Sequence, residues 1–142
     1  MEKVNFPSSL ISLDSEINIY FEENLHPNRT KSSVVIEGNR SGFLSLSHLI
    51  NVYNVYLYDP IKLSEFSFVH SAFCFCIKQD EKVLVSTGIV VKENKGEFKW
   101  MISETNLFVV TGLLHSLGYA NDELHLDEAL HTNEISVYCL VK

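Results

Sequence analysis

The sequence predicts an α+β fold in a single domain over residues 1–142. Three observations carry this. Short apolar or alternating runs recur along the chain, two stretches instead repeat apolar residues at helical spacing, and the two kinds of segment do not alternate regularly. The expected architecture is one antiparallel meander sheet of about five to six strands with two helices packed on it. With 46% hydrophobic and 20% charged residues, the chain is far from the composition of a disordered or low-complexity segment.

Residues 17–21 and 33–37 read as short strands, with His26, Pro27 and Asn28 as a turn between them. The pairs Gly38-Asn39 and Ser41-Gly42 then break the pattern. Leu46, Leu49, Ile50, Tyr53 and Leu57 recur at helical intervals, with Ser45 as N-cap and Asp59-Pro60 as the stop, although the residues after Asn51 would also tolerate a strand. The run 66–77 is apolar on both faces and is expected as a single central strand. A turn at 79–81 leads into 83–91, where Val83, Val85, Thr87, Ile89 and Val91 form the more apolar face. Asn94, Lys95 and Gly96 are a hairpin signal, followed by a strand over 97–102 that groups Phe98, Trp100 and Ile102.

The second helix has the clearest local signals. Ser103 caps it, Glu104 complements its positive end, Leu107, Val110, Leu113, Leu114 and Leu117 form its buried stripe, and Gly118 stands at C′. Gly112 interrupts that stripe and is expected to let the sheet approach. Residues 135–141 form a last alternating strand. No internal repeat is evident.

Several chemistries find no support. The sequence has no phosphate-binding Gly-x-x-x-x-Gly-Lys-Ser/Thr loop, no dinucleotide fingerprint and no nucleophile elbow. A coenzyme A cradle at the start of the second helix would put phosphates against Glu104. Cys74, Cys76 and Cys139 lack metal or redox spacing and read as reduced core thiols. His70 reads as a core or rim histidine, and on one strand it lies ~13 Å from the fourth residue on, too far for a Cys-His pair with Cys74. His125, Asp127, Glu128 and His131, with His115 and Asp122 upstream, are the one cluster worth weighing as a metal site, but they do not follow His-Glu-x-x-His. No metal or cofactor is expected. Tyr53, Tyr56 and Tyr58 lack the interleaved Lys and Arg of a nucleic-acid binder and suit a core or an interface rim. The first residues carry no signal-peptide pattern, and no apolar run approaches the ~20 residues of a membrane span, so a cytoplasmic protein is expected.

Charge is distributed unevenly. The net charge is −7, yet residues 100–141 contain no Lys or Arg and hold six acids: Glu104, Asp122, Glu123, Asp127, Glu128 and Glu134. Five of these fall between Asp122 and Glu134, interleaved with Leu124, Leu126, Ala129 and Leu130. Clustered carboxylates attract a basic partner at long range, and apolar residues among them can supply desolvated anchors. The same acidity disfavours direct contact with nucleic acid or an anionic membrane. Asp122, Glu123, Asp127, Glu128 and Glu134 are therefore the candidate partner-binding residues.

This acidic domain with a one-sided charge resembles the small cytoplasmic immunity proteins of bacterial toxin systems, such as contact-dependent inhibition. The resemblance implies a cognate basic toxin domain as partner, often a nuclease, with the acidic segment at its substrate cleft in place of nucleic-acid phosphates. Two other readings stay open. One is a small enzyme or ligand-binding domain with a pocket between sheet and helices and His70, His115 or His131 as acid-base group. The other is a structural subunit, in which a dimer formed through a sheet edge fits the sequence as well as a monomer.

Overall fold

A computed structural model describes residues 13–23, 32–94, 96–126 and 135–142. The fold is α+β with two helices, as expected, but the strands form two mixed sheets rather than one antiparallel meander. In chain order the elements are β1 (Ile17–Glu22), β2 (Ser33–Gly38), α1 (Arg40–Val55), β3 (Ile61–Lys62), a 3-10 turn at Leu63–Glu65, β4 (Val69–Ser71), β5 (Cys74–Gln79), β6 (Ile89–Asn94), β7 (Glu97–Ile102), α2 (Glu104–Ser116), β8 (Glu123–Leu126) and β9 (Ser136–Val141). The first sheet has the order β4-β1-β2-β9-β8 and the second β3-β5-β7-β6. Among the described residues, no helix is long and apolar enough to cross a membrane.

The run 66–77 is where the single-sheet expectation fails. It is divided into β4, which lies parallel to β1 at the edge of the first sheet, and β5, which lies parallel to β7 inside the second. The Ser71 hydroxyl donates to the Phe73 carbonyl and accepts the Phe73 N–H, a local turn that lets the chain leave one sheet for the other. Of the expected strand 83–91 only Ile89–Val91 is paired, as the start of β6, and Val90 is its buried residue while Val91 is 40% exposed. The facing is reversed because Gly88 adopts a φ of +74° just before β6, where a side chain would meet the Met101 carbonyl and the Trp100 indole. Strands β6 and β7 pair antiparallel, as the hairpin signal implied, with Lys95 of the expected turn outside the described residues.

Helix α1 starts five residues before Ser45. Asn39 is its N-cap, accepting from Gly42 N at 2.7 Å and from Glu16 N at 3.1 Å. Ser45 lies buried inside the helix, 2.7 Å from the Ser15 hydroxyl. Leu46, Leu49 and Ile50 are buried as the periodicity implied, but the helix ends at Val55, and Leu57, at φ +59°, is exposed. Helix α2 is capped by Ser103 as expected, through Asn106 N. Its inner face is Leu107, Val110, Leu114 and Leu117, while Leu113 turns outward with Phe108 and Val109. Gly112 is exposed with nothing near its missing side chain, so it admits no neighbour. Gly118 is needed for space, not for a left-handed cap: a Cβ there would run into the Leu44 side chain.

A repeated plan runs through this topology although the residues do not announce it. A hairpin, a helix and a further strand pair occur once as β1-β2-α1-β3-β5 and again as β6-β7-α2-β8-β9. Each closing pair crosses to the other half. Strand β9 lies parallel to β2 and carries β8, and β5 lies parallel to β7 and carries β3. Single hydrogen bonds repeat as well: Cys74 N to Gly96 O matches Ser136 N to Ser32 O, and Asp80 N to Ile102 O matches Lys142 N to Gly38 O. Buried residues correspond in kind, Ile36 with Trp100, Phe43 with Leu107, Leu46 with Val110, Phe75 with Val137 and Ile77 with Cys139, and one hydrophobic core takes in both sets. What recurs is register and burial rather than residue identity, and that leaves little trace in a sequence.

Candidate partner-binding surfaces

The acidic segment begins where α2 ends. Arg40, the first residue of α1, reaches the carbonyl end of α2, donating from one guanidinium nitrogen to Leu117 O at 3.2 Å and Asn121 O at 3.0 Å. Its other terminal nitrogen lies 2.6 Å from Asp122 Oδ1. A cation at the negative end of a helix is favourable in itself, and Asp122 adds charge of the same sign. Asp122 thus has an internal counterion. Glu123 is exposed at the start of the edge strand β8, where it accepts from the Tyr138 hydroxyl at 2.8 Å. His125 stacks on Tyr138, with ring centroids 4.3 Å apart. Leu124 is half-buried and Leu126 buried, so the apolar residues of this strand face the core. Asp127, Glu128 and Glu134 lie outside the described residues, as does His131.

The other candidates are scattered. His70 is exposed on β4, in a different sheet from Cys74 and Cys76. His115 lies on α2 between the rings of His48 and Tyr119, at 5.8 and 5.1 Å. Among the described residues no three His, Cys, Asp or Glu side chains converge as a metal site would require. Burial pushes the thiols of Cys76 and Cys139 above the usual cysteine range, which keeps them protonated.

One concave feature was not singled out by sequence reasoning. A cleft of about 240 Å³ at the carbonyl end of α1 is lined by Tyr53, Tyr58, Asp59, Pro60, Lys62 and Glu65. The Tyr53 and Tyr58 rings are tilted, with centroids 5.1 Å apart. Burial, then the neighbouring Tyr58 and Glu65, hold the Tyr53 phenol above its ordinary pKa. Lys62 Nζ is 3.9 Å from Glu65 Oε1, and Asp59 Oδ1 accepts from Gln79 N at 3.1 Å. Beside the cleft, Val55, Tyr56, Leu57 and Tyr58 are all more than half exposed. The signal available in the sequence was a carboxylate directly after an aromatic helix end, Tyr58-Asp59. Comparison of the chain with protein-family models, curated proteins and solved structures yields no match.

Proposed function

We propose that this chain is an acidic protein-binding inhibitor of the immunity type, acting in the cytoplasm on a cognate basic toxin domain, most simply a nuclease. One observation carries the reading: the last third of the chain, residues 100–141, has six acids and no Lys or Arg. Supporting it, Glu123 and His125 are exposed on β8, which among the described residues is an edge strand. Docking of carboxylates where nucleic-acid phosphates would lie occludes a nuclease cleft without any chemistry on the inhibitor's side.

The test is co-purification with the basic domain encoded in the adjoining reading frame, using the chain with Asp122, Glu123, Asp127 and Glu128 all changed to Lys. Loss of the complex with an unchanged circular dichroism spectrum is expected. A complex that persists would remove the acidic segment as the docking surface. Reversal at Asp122 also breaks its bridge to Arg40, so the spectrum is a necessary control.

A further inference from the structure

The repeated plan makes the two helix ends directly comparable. Asp122 follows α2 as Asp59 follows α1, and each aspartate takes the N–H of the corresponding strand residue. Val141 N donates to the Asp122 carbonyl, and Gln79 N donates to the Asp59 carboxylate. At the α2 end the chain supplies its own guanidinium, Arg40, against carbonyl oxygens and a carboxylate. The position equivalent to Arg40, directly after the N-cap, is Glu104 in the other half. Among the described residues no internal guanidinium is provided there, and the α1 end is the end that holds the cleft.

The geometry points to this cleft as a receptor for an arginine side chain of a protein partner. Asp59 and Glu65 give it two carboxylates against the single ammonium of Lys62, so an entering guanidinium would balance its charge. The exposed Tyr58 ring, tilted against Tyr53, offers a face for a planar cation, which Arg fits better than Lys. The exposed Tyr56 and Leu57 beside the mouth would cover the apolar stem of the incoming residue. At 3.9 Å the Lys62–Glu65 pair is too long for a hydrogen bond, so Lys62 can be displaced. The proposal rests on the reading of a basic protein partner and adds a second contact surface to it.

The experiment titrates the intact chain with N-acetyl-arginine methylamide, and in parallel with the lysine compound, following the tyrosine ring resonances by NMR. Saturable shifts of Tyr53 and Tyr58 are expected with the arginine compound, at about tenfold lower concentration than with lysine. Asp59→Asn and Glu65→Gln should each weaken binding about tenfold, Lys62→Met should tighten it, and Asp122→Asn should leave it unchanged. No saturable shift, equal response to lysine, or indifference to Asp59→Asn and Glu65→Gln would overturn the proposal. A toxin complex that tolerates Asp59→Asn also overturns it, while leaving the proposed function intact. Arginine binding in a chain that captures no basic partner fails that function but not the cleft.

Discussion

The two halves of the chain share a backbone plan, yet they close their helix ends with different chemistry. In the later half, α2 ends against Arg40, and the cation bridges two carbonyls and Asp122. In the earlier half, α1 ends in an exposed run from Val55 to Tyr58, and the exposed Asp59 accepts a strand N–H. One end is sealed by the chain itself and the other presents a charged, aromatic-lined recess. The difference teaches that a repeated scaffold can hold its register while only its capping residues diverge, and that the divergent end is where a surface becomes available to something else.

The comparison can be broken hardest in the core. Trp100 is fully buried, stacks on Phe75 with centroids 6.2 Å apart and donates to Thr87 O at 2.9 Å. Its counterpart Ile36 is equally buried but smaller and makes no side-chain hydrogen bond. Trp100→Ala should cost about 4 kcal/mol and Ile36→Ala about 3 kcal/mol in denaturant unfolding, and the reverse order would show that the two sheets do not carry equivalent weight.

The caps offer the next test. Asn39 serves Gly42 N and Glu16 N and also donates to Asp14 O at 2.6 Å, whereas Ser103 serves Asn106 N alone. Asn39→Ala should therefore cost about 2 kcal/mol and Ser103→Ala about 1 kcal/mol, with equal losses arguing that the extra bonds of Asn39 contribute nothing. Gly112 is smaller still and opposite in sign. It lies mid-helix with open space around it, so Gly112→Ala should raise stability by about 1 kcal/mol, read as a higher Tm.

The last test is visible only in strong base. Tyr20 donates to Glu37 Oε2 at 3.0 Å, and burial followed by that contact raises its phenol to about 12. The folded state therefore holds a proton that the unfolded chain releases near pH 10. This stability is complete below pH 10 and is lost as pH rises toward 12. In Tyr20→Phe that decline should flatten, and an unchanged slope would remove Tyr20 as its source.

How much of this was legible depended on how local each cause is. Ser103 and the inner stripe of α2 are set within a few residues, and the sequence shows them, Leu113 excepted. Asn39 was read as a breaker because its cap bonds are completed by Asp14 and Glu16, a strand away. The division of 66–77 was hidden because both sheets want apolar residues, so β4 and β5 look like one strand until their partners are known. Gly118 carries the residue type of a C′ cap, but its cause is Leu44 on the other helix. For the candidate site, the segment's acidity was plain from composition, while the Arg40 counterion of Asp122 comes from a residue far back in the chain. The cleft at Asp59 was missed because its parts are held together by the end of α1 and the turn after β3.

The exchange of strand pairs has a consequence for synthesis. Strand β2 pairs on one side with β1, made just before it, and on the other with β9, where Ser136 lies 103 residues after Ser33. The apolar inner row of the first sheet, Val34 and Ile36 with Ile17 and Ile19, must then wait for that whole intervening stretch before its second neighbour arrives. A fold with such distant pairings closes late and depends on its final strand, so a chain stopped short of β9 would leave a hydrophobic strand edge open to aggregation.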